Sequence, residues 1–143
     1  MSMDKKTADA IFDVLGKKRA LLQGILELTQ KQARYIASLQ SEQLLDGVTV
    51  RQQYVDQVNA LDGELQALEA AGGGYPEGAR ALVEELISLL SAIEAQDRAN
   101  EEMGNARIDQ LKQDMRKLAA DKKGAGAYGQ KGYSNSAYFS TKH

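Results

Sequence analysis

The chain has 143 residues, of which 43% are hydrophobic and 27% are charged, a balance typical of globular rather than disordered proteins. It has no cysteine and a single histidine, the C-terminal His143, which argues against thiolate chemistry, a histidine base or a histidine metal site. No apolar run approaches the roughly 20 residues needed to span a bilayer, and the acidic N-terminal segment differs from a secretory signal. We therefore expect a cytoplasmic protein.

The first predicted element is a long helix over residues 6–42. Lys18, Thr29 and Gln32 interrupt its apolar face, so this face is not uniformly hydrophobic. The other residues on the face recur at spacings of three and four, or sums of these, as one side of an α-helix requires. They are Ile11, Leu15, Leu22, Ile25, Ile36 and Leu39.

A second helix is predicted over residues 49–71, after a corner at Leu44–Gly47. Gly47 can adopt a positive φ in that corner, and Thr49 can cap the helix that follows. Gly63 lies inside the helix and costs about 1 kcal/mol relative to alanine. The apolar face has four-three-four-three spacing, the most regular in the chain, at Tyr54, Val58, Leu61, Leu65 and Leu68.

The glycine-rich segment Gly72–Gly78 predicts a break, and a third helix is predicted over residues 79–123. Its first half is apolar, with Leu82, Leu86, Leu89, Leu90 and Ile93. Its middle is polar, with Gln96, Asp97, Asn100, Glu101 and Glu102. Three long helices with short connections predict an all-α fold, an elongated antiparallel bundle with coiled-coil-like packing over residues 1–123.

An apolar stripe returns in the second half of the third helix. Its residues are Met103, Ile108, Leu111, Met115 and Leu118. One interpretation is an ordinary core face that packs on the first two helices. The other is a groove for a partner's amphipathic helix, since methionine adapts to more than one partner shape. The polar middle favours the second interpretation, because it separates the stripe from the main core.

Residues 124–143 are predicted to form a flexible, Gly/Tyr-rich tail. The region from 122 onward adds four lysines and no acid, whereas residues 1–121 contain 14 basic and 20 acidic side chains. Half of the chain's eight aromatic residues are in the tail: Tyr128, Tyr133, Tyr138 and Phe139. The tail is therefore either a disordered terminus or a segment that contacts the acidic body or a partner. Its lack of arginine makes nucleic-acid binding a weak alternative.

The sequence contains no recognisable catalytic constellation. The paired carboxylates Glu84-Glu85 and Glu101-Glu102 have basic neighbours at helical spacing, as on an ordinary solvated face. The chain has neither a phosphate-binding loop nor the Glu-x-x-His pairs of di-metal bundles. We therefore expect a protein that is not an enzyme and that uses no metal or cofactor.

Four segments together resemble a known family: LLQGILELTQKQ (21–32), RQQYVDQVNALDGEL (51–65), LISLLSAIEAQDRANEEM (86–103), and a lysine-bearing helix end followed by AYGQ and the late Tyr138-Phe139 pair. They are similar to the flagellar export chaperones of the FlgN type, which are related to the FliT chaperones. Each segment is a degenerate helical pattern, so the likeness lies in their order and in the tail.

This resemblance implies a cytoplasmic chaperone, without enzymatic activity, for hook–filament junction proteins. Such a chaperone binds the amphipathic C-terminal helix of its client, prevents premature assembly and hands the client to the export apparatus. We expect the stripe of the third helix to bind the client, and the tail aromatics to contact the same groove. The alternative is a scaffolding coiled coil without an export client, which forms a homo-oligomer through the same stripe.

Overall fold

The computed structural model describes residues 4–122, which form three helices and no strand: α1 (Lys5–Ala37), α2 (Ser41–Gly72) and α3 (Arg80–Asp121). α1 packs against both other helices, whereas the backbones of α2 and α3 scarcely approach each other. The predicted all-α helical bundle is confirmed. None of the three helices is long and apolar enough to cross a membrane.

The main core lies between α1 and its two neighbours. It contains most of the predicted α1 face together with Val58, Leu61 and Leu65 of the predicted α2 stripe, while Tyr54 and Leu68 pack against it. Fully burying one such aliphatic side chain contributes about 1.5–3 kcal/mol, so packing rather than helix propensity holds the long helices together. The main core comprises Ile11, Val14, Leu15, Leu22, Ile25, Val58, Leu61, Leu65, Ala79, Leu86 and Ile93.

The first break in the chain falls earlier than predicted. α1 ends at Ala37 and α2 begins at Ser41, so Gly47 and Thr49 lie inside α2. The Thr49 hydroxyl donates a hydrogen bond to the Leu45 carbonyl of the preceding turn at 3.3 Å, and Thr49 therefore caps nothing. The predicted corner at Gly47 is wrong, because α2 continues through it.

Between α2 and α3 the chain breaks where the glycines predicted. Gly73, Gly74 and Gly78 have φ angles of 82°, 118° and 91°, which side chains rarely tolerate. The Gly74 N–H donates a hydrogen bond to the Glu69 carbonyl at 3.3 Å and so satisfies one of the last carbonyls of α2. This is the usual glycine-dependent helix end.

α1 also ends with a left-handed residue, but that residue is not a glycine. The Leu39 N–H donates to the Ile36 carbonyl at 3.2 Å, and the Gln40 N–H donates to the Tyr35 carbonyl at 2.8 Å. This pair of bonds requires a left-handed residue at the position that Gly73 occupies in α2. Leu39 takes that conformation with a φ of 55°, and it is the one non-glycine residue within 4–122 with a positive φ.

A polar layer interrupts the buried interior beyond the main core. Thr29 and Gln32 of α1 and Asn100 of α3 are buried. The Asn100 amide donates to the Thr29 main-chain carbonyl at 2.8 Å, and the Gln96 amide donates to the Asn100 side chain at 2.9 Å. Because a buried polar group is costly without its partner, these bonds favour one register of α3 on α1.

Candidate functional site

Two contacts give the direction of α3 along α1, and the buried Asn100 contact sets its register. Arg19 pairs with Glu85 at 3.2 Å, and the Asn100 amide nitrogen lies 2.8 Å from the Thr29 carbonyl oxygen. The residue numbers increase together on both helices, so α1 and α3 run parallel. Counting eight residues onward from Thr29 and from Asn100 places Ile108 level with the last residue of α1.

A third contact fixes α3 against α2. Arg51 pairs with Asp97 at 2.9 Å, and these two helices run antiparallel. Counting ten residues back along α2 and ten forward along α3 places Arg107 level with the first residue of α2. Both neighbours of α3 therefore end at the same level. We call residues 108–121 of α3 the overhang, which extends about 21 Å past the α1–α2 hairpin.

The predicted stripe continues the face of α3 that packs on α1. A separation of 18 residues is five full helical turns, so Leu111 lies in line with Ile93, and Leu118 lies in line with Asn100. Ile93 and Asn100 are buried inside the bundle. On the overhang the same face has three-four-three spacing, with Ile108, Leu111, Met115 and Leu118.

Exposure of the stripe rises toward the end of the overhang. Ile108 and Leu111 are half-buried, whereas Met115 and Leu118 expose 36% and 54% of their surface. Met103 lies inside the bundle, half-buried, and its direction differs by about 60° from that of Leu118, the nearest of the other four. The structure thus brings four of the five predicted residues onto one face of the overhang and places Met103 inside the bundle, at the edge of that face.

Buried residues outside the main core lie toward the end of the bundle from which the overhang emerges. Ile36 and Leu44 are buried there, but neither belongs to the main core. Arg51 and Arg107 each bury an Nε atom without a hydrogen-bond partner among the described residues. An unsatisfied buried donor costs about 1–3 kcal/mol, so these two arginines reduce the stability that their burial contributes.

Charge on the overhang is balanced. It has three basic and three acidic side chains, interspersed along its length: Asp109, Lys112, Asp114, Arg116, Lys117 and Asp121. Since no single sign dominates, the apolar stripe rather than net charge is the feature that a partner can recognise. Salt screens the attraction between a charged ligand and a surface of opposite net charge, and the side chains of the overhang carry no net charge.

The predicted tail contacts fall outside the described residues. Tyr128, Tyr133, Tyr138 and Phe139 all lie beyond residue 122, as does the predicted tail over 124–143. The division into a helical bundle and a tail therefore stays a prediction, and so does a contact between the tail and the stripe.

Leu39 is a residue that the sequence interpretation misplaced. It was assigned to the apolar face of a helix reaching residue 42, whereas it lies in the α1–α2 turn and exposes 42% of its surface. The usual signal for such a turn is glycine, and its absence here left the helix end unrecognised. The turn adjoins the base of the overhang, since Ile108 is level with the end of α1.

Comparison with known proteins identifies the family. A family model described as FlgN protein matches residues 1–136, a range that includes all three helices and the whole overhang. No curated protein and no solved structure matches the chain. A match over nearly the whole chain shows membership, so the chain belongs to the FlgN family of flagellar export chaperones.

Proposed function

We propose that the overhang of α3 is the surface on which this chaperone holds its export client. The client segment is the amphipathic C-terminal helix of a hook–filament junction protein. Binding takes place in the cytoplasm, covers the client's apolar stripe, prevents premature assembly and presents the client to the export apparatus. The residues that contact the client are Ile108, Leu111, Met115 and Leu118, with Met103 at the inner end.

One observation carries this proposal: the face that packs α3 onto α1 continues past the end of α1. Leu111 and Leu118 repeat the directions of Ile93 and Asn100. A helix placed along the overhang therefore contacts residues of α3 at the same spacing as α1 does within the bundle. Because the overhang is only about four turns long and its stripe is partly buried already, the interface is small, as release to the export apparatus requires.

Replacement of one exposed stripe residue tests the site. Leu118→Gln removes apolar surface from the overhang, and we expect it to weaken binding of the client C-terminal peptide about tenfold, or about 1.4 kcal/mol. The peptide is taken from the hook–filament junction protein of the same genome, and its affinity is measured by calorimetry.

Ile87→Gln is the matched control for this experiment. Ile87 is on α3 too and exposes 57% of its surface, but it lies beside the main core rather than on the overhang. We expect the control to leave peptide affinity unchanged. Equal weakening by both variants, or by neither, contradicts the proposed site.

The scaffolding alternative predicts a different result from the same variants. A second copy of the chain can cover the same stripe, so light scattering at several concentrations distinguishes the two functions. An oligomer that persists on dilution and that Leu118→Gln dissociates favours the scaffold. A monomer that binds the peptide favours the chaperone site.

We also propose that the tail competes for the stripe, or completes it, through Tyr128, Tyr133, Tyr138 and Phe139. Its composition supports this role, since four aromatic residues and four lysines follow the overhang without any acid. Aromatic rings bury large apolar areas, and lysine suits the acidic body of the chain.

A further inference from the structure

Leu39 occupies a position that disfavours leucine in two ways. Its φ of 55° lies in the left-handed region, where a Cβ atom crowds the following carbonyl. Its side chain also exposes 42% of its surface to solvent. Leu39 is neither in the main core nor among the hydrophobic residues packed against it. The hydrogen bonds of this helix end come from main-chain N–H groups and from the Ser38 hydroxyl, so the turn does not use the leucine side chain for hydrogen bonding.

The other helix end of the same type provides a comparison within the molecule. Gly73 occupies the equivalent position at the end of α2, with a φ of 82°. Glycine meets the backbone requirement there without strain. The same backbone requirement at the end of α1 is met by an exposed leucine, which points to a role for the side chain outside the free protein's own packing.

The place of Leu39 relative to the overhang indicates what that role is. Ile108 is level with the last residue of α1, and Leu39 follows that residue by two positions. The stripe lies on the same side of α3 that packs against α1 within the bundle. A helix along the stripe therefore stands in line with α1, directly beyond the turn that contains Leu39.

We propose that Leu39 is part of the client-binding surface, where it contacts the end of a client helix that lies along the overhang. This inference rests on the proposed function. The occupant is an amphipathic helix of the client, which lies against α3 beyond the point where α1 ends. The α1–α3 interface, which this helix would continue, supports a helical occupant. The available length is about 14 residues, or about four turns.

Leu39→Asn tests the inference, because asparagine tolerates the left-handed conformation but removes the apolar side chain. We expect a melting temperature equal to or above that of the wild-type chain, and a client-peptide affinity at least fivefold weaker. The variant is made in the full chain and measured by thermal unfolding followed by circular dichroism and by calorimetry.

Leu45→Asn is the matched control. Leu45 exposes 46% of its surface, close to the exposure of Leu39, but it lies inside α2, where asparagine is a poorer helix former than leucine. We expect this variant to lower the melting temperature slightly and to leave peptide affinity unchanged. Weaker peptide binding without a lower melting temperature in Leu39→Asn, and the reverse in Leu45→Asn, separate loss of a client contact from loss of stability.

Other outcomes overturn the inference in distinguishable ways. If Leu39→Asn leaves affinity unchanged while Leu118→Gln weakens it, Leu39 is outside the client-binding surface and the proposed function stands. If neither variant weakens binding, both proposals fail. If Leu39→Asn instead dissociates a dimer, a second copy is the occupant. If it tightens peptide binding only while residues 124–143 are present, the tail is the occupant.

Discussion

Two glycines inside helices, Gly24 and Gly63, have different surroundings, which the sequence alone does not distinguish. Gly24 of α1 lies against the ring of Tyr54 from α2, and a Cβ atom at position 24 would meet ring atoms Cε2 and Cδ2. Gly63 of α2 has no atom within 4 Å of a Cβ placed on it. The absence of a side chain is thus required at Gly24 and incidental at Gly63.

Alanine at these two positions is expected to change stability in opposite directions. Gly24→Ala forces the Tyr54 ring to move and lowers the free energy of unfolding by about 1–3 kcal/mol. Gly63→Ala raises it by about 0.5–1 kcal/mol, because alanine is the better helix former and fits without contact. Urea unfolding of the wild-type chain and both variants, compared at equal m-values, shows whether each substitution raises or lowers the free energy of unfolding. Stabilisation by Gly24→Ala would mean that the ring has room to move.

At the scale of elements, α3 combines a segment packed in the bundle and a segment that extends past its neighbouring helices. On the N-terminal side of the polar layer, α3 packs against α1 through Leu86 and Ile93, which are both buried. The overhang has no helix beside it within residues 4–122. An isolated helix of about 14 residues is marginal in water, so the overhang depends on the packed turns that precede it.

Hydrogen exchange should report this division. We expect amides of residues 84–100 to exchange slowly, near the rate of global unfolding, and those of residues 110–121 to exchange orders of magnitude faster. Bound client peptide should slow the second group selectively, since the added helix supplies the missing packing. Uniform protection along α3 in the free protein would contradict the division.

At the scale of the molecule, the sequence predicts the three helices and the regular stripe of α2, because hydrophobic periodicity is a local property. The break at Gly72–Gly78 is equally local and is confirmed. The break after α1 was predicted at Gly47 rather than at Leu39, since a leucine in the left-handed region leaves no recognisable signal. The overhang could not be predicted either, because it depends on the registers that the Asn100 and Arg51 contacts fix.

Removal of the tail tests its proposed competition with the client. We expect deletion of residues 124–143 to tighten binding of the client peptide three- to tenfold, because the peptide no longer displaces the tail. A full-length variant with serine at the four aromatic positions keeps length and charge, and it should reproduce the effect. Weaker binding would instead indicate direct contact between tail and client, and unchanged affinity would contradict both roles.

The register of α3 has a consequence for how this chaperone can diversify. Substitutions at Leu111 or Leu118 alter the overhang without touching the main core, so they are nearly neutral for folding. Substitutions at Leu86 or Ile93 on the same face change packing and are constrained by stability. A lineage that acquires a different client can therefore change the last four turns of α3 while the rest of the chain stays fixed.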